Sequence, residues 1–106
     1  MAITLTPSVA SPRAAIDAIR IDVAGASNND AAAYNASLVP TEPELRCYIA
    51  FRKGGVELGR SYVFAVGEDG KHVFNNYIFP SSGAWTMRLA RADNDAILKD
   101  QVITVS

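Results

Sequence analysis

What this 106-residue chain lacks bounds it first. It holds one cysteine, one histidine and one tryptophan. Cys47 alone cannot close an internal disulfide. Secreted domains of this size often carry one, so cysteine usage points to a reducing compartment. One Cys and one His fall short of the four ligands of a structural zinc site. No segment approaches the roughly 20 consecutive apolar residues of a membrane helix. The N-terminus, Met-Ala-Ile-Thr-Leu-Thr-Pro, has neither a basic region nor the apolar run of a signal peptide. The Asn35-Ala36-Ser37 sequon is accordingly read as chance. Charge of one sign is also missing: the net charge is -1 and no basic patch stands out, so phosphate-driven nucleic-acid binding has no footing.

Catalytic signatures are absent in the same way. His72 is the sole histidine, and Ser61, Ser81 and Ser82 are the serines a triad would draw on. No Gly-x-Ser-x-Gly elbow accompanies them, and a lone His beside a hairpin turn reads as a surface residue. Asp93-Asn94-Asp95 opens like a calcium loop, but Leu98 and Thr104 stand where that loop needs Gly and Glu. A plain hairpin turn is the better reading. Asn28-Asn29-Asp30 has no spaced partner for a cation site. Cys47 lies within an apolar alternation, which favours a buried, inert thiol. No enzymatic activity, cofactor or metal is expected.

What is present is strand. Apolar residues make up 49% and charged residues 20%, the balance of one ordinary folded domain spanning 1–106. Trp85, Met87 and Leu89 alternate with Ala84, Thr86 and Arg88, and Gln101, Ile103 and Val105 with Asp100, Val102 and Thr104. That is the period of half-buried strands. A Pro-Ser-Ser-Gly turn enters them and Asp93-Asn94-Asp95 joins them, which predicts a closing hairpin. Leu45, Cys47, Ile49 and Phe51 form one face of a strand over 44–53, with Arg46, Tyr48, Ala50 and Arg52 on the other. Gly54-Gly55 turns it into residues 56–66, with a break placed at Gly59. Gly67-Glu68-Asp69-Gly70 turns that into a strand over 71–79. Residues 2–6 read as an edge strand ended by Pro7, and 7–14 as a connector.

Residues 15–24 carry two signals. Ser11-Pro12 with Ile16 and Ile19 suggests a helix start. Ile19, Ile21 and Val23 alternate with Arg20 and Asp22, and β-branched residues at alternate positions favour the strand. Residues 25–43 form a long irregular connection with one helical turn at 31–34. Such connections are often functional. The sum is an all-β sandwich of seven or eight strands with Ile21, Ile49, Phe51, Trp85 and Leu89 in its core.

Two strands have apolar residues on both faces. Val73, Tyr77 and Phe79 oppose Phe74 and Ile78, and Tyr62 and Phe64 oppose Val63 and Ala65. A two-layer sandwich buries one face of each strand, so two-sided strands predict exposed apolar surface and a protein–protein contact. Tyr34, Tyr62, Phe64, Phe74 and Tyr77 are the expected contact residues.

The run Phe79-Pro80-Ser81-Ser82-Gly83-Ala84-Trp85-Thr86-Met87-Arg88-Leu89, with Ala96-Ile97-Leu98 and Val102-Ile103-Thr104-Val105-Ser106, resembles the closing strands of bacterial and phage immunoglobulin-like domains. There a Pro-x-x-Gly-x-Trp/Tyr-x-Val-x-Leu strand precedes an acidic turn and a Val-x-Val ending. Ile3-Thr4-Leu5-Thr6-Pro7-Ser8 resembles their opening strand. The resemblance implies an immunoglobulin-like fold, and a fold does not by itself fix a function. Paired cysteines are missing, and the chain starts at Met1 without a leader and stops at the final strand. Such a domain resembles a small virion protein of a tailed bacteriophage, made in the host cytoplasm. The implied partner is the major capsid protein, with a homo-oligomer on the shell. A tail-associated protein is the second reading. A carbohydrate-binding or adaptor module using Tyr34, Tyr48 or Tyr62 is the third.

Overall fold

The computed structural model describes residues 3–26, 45–66 and 70–106. Within them the chain is all-β, in two antiparallel sheets. The strands are β1 (Thr4–Pro7), β2 (Ala18–Ala24), β3 (Leu45–Lys53), β4 (Val56–Arg60), β5 (Phe64–Val66), β6 (His72–Ile78), β7 (Gly83–Arg91) and β8 (Ile97–Val105). One sheet runs β1-β2-β6, and the other β4-β3-β7-β8, with β5 also paired to β3. Both sheets feed one apolar core, an arrangement compatible with a β-sandwich. Ile21, Ile49, Phe51, Trp85 and Leu89 are all fully buried in it, as their alternation predicts.

The conflict at 15–24 resolves by position. Arg13 O accepts bonds from the backbone N–H of Ile16 and Asp17, and the Asp17 carboxylate accepts from the Arg13 backbone N–H and guanidinium. The helix-like signal yields one turn, leaving Ile16 in solvent. Strand β2 begins at Ala18, and Ile19, Ile21 and Val23 all enter the core.

Turn chemistry sets the β3–β4 hairpin. Gly54 and Gly55 both have positive φ, 60° and 79°, as a two-residue type I′ turn requires. Lys53 and Val56 pair directly across it. The ladder then shifts, with Phe51 opposite Gly59 but Arg52 opposite Glu57, so Leu58 is the extra residue of a bulge.

The expected break at Gly59 falls instead at 61–63, after Arg60. Ser61 shows why the chain can leave the ladder there. Its N–H donates to Ile49 O at 2.8 Å, and its Oγ accepts the Ile49 N–H at 2.8 Å. The hydroxyl then donates to Tyr62 O. A side chain thus replaces a strand carbonyl opposite β3, and no buried backbone donor is orphaned. The expected turn at Gly67-Glu68-Asp69 and the helical turn at 31–34 lie outside the described residues.

Strand β6 departs most from simple alternation. Ile21 pairs with Phe74 but Ile19 pairs with Tyr77, so residues 75 and 76 oppose Arg20 alone. This bulge inverts the face of every later residue. His72 and Phe74 point to the core before it, and Tyr77 and Phe79 after it. Val73 and Ile78 are left outward. The apolar residues on both sequence faces of 71–79 therefore converge largely on one structural face.

Candidate contact site

The β6 bulge corrects the expected contact residues. Phe74 is 7% exposed and belongs to the core. Tyr77 is half-buried and stacks flat on Phe51, with ring centroids 3.5 Å apart and an interplanar angle of 4°. Phe79 meets both rings edge-on. Phe64 is 4% exposed, because β5 pairs with Leu45, Arg46 and Cys47 and turns its Phe inward. Phe64, Phe74 and Tyr77 thus pack against the core instead of forming the exposed apolar surface expected of them. Tyr34 lies outside the described residues. Of the described four, Tyr62 alone is exposed, at 59%. Its ring leans on Phe64 and Phe74 from the solvent side.

Tyr48, a candidate for sugar stacking, is buried on the outer face of the larger sheet with Ala50 and Ala90. The Arg60 guanidinium lies 4.1 Å from its ring centre, and its hydroxyl donates to Asp95 Oδ1 at 2.7 Å. Burial, then the bond to Asp95, pushes the Tyr48 hydroxyl above the ordinary tyrosine range. No face of this ring is left for a ligand to stack on.

The other chemistry-bearing residues have structural partners. Cys47 is fully buried. Arg91 holds the Asp93 carboxylate, pulling its pKa down, while Asn94 Oδ1 accepts the Ala96 N–H. The 93–95 turn therefore spends side-chain oxygens of Asp93 and Asn94 on closing the β7–β8 hairpin and one of Asp95 on Tyr48 of β3. Ser81 O accepts from Trp85 Nε1 at 2.8 Å, and Lys53 Nζ donates to Ser81 Oγ and Ser82 O. Among the described residues no three His, Cys, Asp or Glu side chains converge as a metal ligand set, and no helix is long and apolar enough to cross a membrane. Asn28-Asn29-Asp30 lies outside the described residues.

His72 is not the plain surface residue expected beside a turn. Its imidazole stacks on Phe64 at 4.1 Å and 7°, and burial pulls its pKa below 6.5.

The exposed apolar residues are unevenly placed. In the two-layer order β1 lies against β8, and β6 lies against the β4/β5 edge of the larger sheet. On this second side stand Val56 and Leu58 of β4, Tyr62 and Val63 of the link, and Val73 and Ile78 of β6. They are six of the ten large hydrophobic side chains exposed among the described residues. Part of this signal was readable in the sequence as Tyr62 and Val63. Val56 and Leu58 were not, because only the bulge and the edge position of β4 expose them. Comparison with known proteins finds no matching family, no matching curated protein and no matching solved structure.

Proposed function

We propose that this chain is an immunoglobulin-like sandwich that works by docking onto a protein assembly, as a bacteriophage virion component decorating the capsid. The strand order supports the fold. Sheets β1-β2-β6 and β4-β3-β7-β8 are joined by hairpins at β3–β4 and β7–β8 and by crossings between sheets after β2, β5 and β6. This order supports the immunoglobulin-like reading, because Greek-key sandwiches of that kind cross between their sheets in the same way. The observation that carries the function is the apolar side formed by β4, the 61–63 link and β6. Monomeric proteins scatter exposed hydrophobes, and gathering them along one side marks a contact surface. A decorating domain needs such a surface, and each contact made only with the finished lattice adds to particle stability by mass action.

The test is co-sedimentation of the purified chain with tailed-phage heads assembled without it. The expected result is saturation at a fixed number of copies per capsid subunit. Tyr62→Asp and Leu58→Asp should each lower attachment by at least about tenfold, since a charge buried at an interface costs more than 1.4 kcal/mol. Leu58→Asp should keep the wild-type circular dichroism spectrum, because its side chain is in solvent. Attachment of both variants at wild-type affinity would overturn this surface, and failure of the wild type to sediment with heads would overturn the capsid reading.

A further inference from the structure

We propose that His72 is an acid-sensitive latch on the seam between the two sheets: protonating its ring breaks the stack with Phe64 and lets β5 and the Tyr62 link part from β6. The latch is a property of the fold and stands whatever docks on this side.

The seam is thin. Strand β5 has three residues, bonded to the rest of its sheet only through Leu45, Arg46 and Cys47 of β3. The chain leaves the ladder just before it, at 61–63. Val66 of β5 is buried in the shared core, and toward β6 the strand is held by an aromatic stack. Phe64 lies flat on His72, and Tyr62 meets the rings of Phe64, His72 and Phe74 at 6.2, 6.3 and 5.4 Å. On the far side, Val23 of β2 pairs with His72 and holds it in the sheet.

Within this stack His72 Nε2 is the only buried side-chain nitrogen or oxygen without a hydrogen-bond partner among the described residues. The neutral ring tolerates this. With its proton on Nδ1, it leaves only an unused lone pair at Nε2. The imidazolium has no such choice, because both nitrogens then carry a proton. Protonation places a charged N–H donor at a buried atom with no acceptor among the described residues, the costly case among buried polar groups.

The ionisable groups around the ring do not offset that cost. The link contributes the Tyr62 hydroxyl. Strand β3 contributes Arg46 and Cys47, opposite Ala65 and Phe64. Strand β2 contributes Asp22, beside Val23, with its carboxylate bonded to Arg20. Lys71 precedes His72 on its own strand. None of them bonds Nε2. Opening the seam gives the imidazolium water, and acid therefore favours the open form.

Burial alone lowers the His72 pKa from 6.5, so the folded value lies below the open-state value. The closed seam is then fully favoured above about pH 6.5 and weakens as pH falls through the folded pKa. The loss is about tenfold in the opening equilibrium for each unit separating the two values.

Amide hydrogen exchange of the whole chain at pH 7 and pH 5, corrected for intrinsic rates, tests the latch. The amides of β5 should lose protection at pH 5 relative to Met87 and Leu89 of β7 at the sheet centre. In His72→Phe, which keeps a flat ring on Phe64 without a titrating nitrogen, that ratio should be the same at both pH values. Equal protection of β5 at pH 7 and pH 5 in the wild type overturns the latch, as does an equal loss in the variant. A wild-type measurement covers a variant that folds poorly. The His72 ring proton, followed by nuclear magnetic resonance, should titrate below pH 6.5 together with the ring resonances of Phe64 and Tyr62. Titration at or above pH 6.5, or without movement of the Phe64 ring, overturns the proposal.

Discussion

Single side chains here do two kinds of work, and alternation predicts only one. Trp85 is the predictable kind. It is fully buried against Phe79, its Nε1–H is satisfied by Ser81 O, and Lys53 reaches across it to the 80–83 turn. Trp85→Ala removes the largest fully buried side chain and the partner of a carbonyl, so it should cost about 3–5 kcal/mol in urea unfolding. A loss under 1 kcal/mol would contradict this placement. Ser61 is the other kind. As a residue it looks like a loop serine or a nucleophile, yet its Oγ is spent as a ladder acceptor for Ile49. Nothing in its neighbours announces that role, because the partner lies twelve residues away.

Among the elements, β6 is the most instructive. Its two-sided apolar pattern pointed to surface, and the bulge at 75–76 turned it into core. The bulge is therefore needed to bury His72 and Phe74 together with Tyr77 and Phe79. Deleting Asn75 leaves a single residue opposite Arg20 and restores simple alternation, so Phe74 and Tyr77 should keep their places opposite Ile21 and Ile19. The deletion variant is expected to keep a cooperative thermal transition and its near-ultraviolet circular dichroism. Asn75→Ser, at an exposed position that keeps the residue count, should melt within a few degrees of wild type. A deletion variant without a cooperative transition would show that the bulge itself, and not only the face it restores, is required.

For the molecule as a whole, acid acts in two windows. The Asp93 and Asp100 carboxylates are held below the usual range, chiefly by side-chain bonds to Arg91 and Arg88. Their support is present above about pH 3.8 and is lost as pH falls through their lower folded values. The His72 window lies higher, below 6.5. Urea midpoints should therefore fall between pH 7 and pH 5 and again below pH 4, with His72→Phe abolishing only the first fall. Added salt at pH 7 should change the midpoint little, since exposed pairs such as Arg88–Asp100 are worth about 1 kcal/mol or less. An increase in stability on acidification to pH 5 would reverse the sign argued here.

Periodicity by itself determined the all-β class, the strands around 45–53, 83–91 and 97–105, and the five central core residues. It could do so because each alternating run meets a core on one side, and burying that side needs no knowledge of the partner. The glycine pair at 54–55 was equally legible, since positive φ at two successive positions is a local demand. The contact residues were not. Tyr62 and Phe64 are two positions apart and read alike, yet one is exposed and the other buried. The difference comes from where the chain leaves β3, through Ser61, and from which strand lies across the seam. Phe74 and Tyr77 share the core only because residues 75 and 76 together face Arg20. Register is a relation between two strands, and a bulge in one shifts the face of every residue beyond it. Which side of the sandwich is left apolar, and where His72 is trapped, were therefore decided by pairing between distant segments.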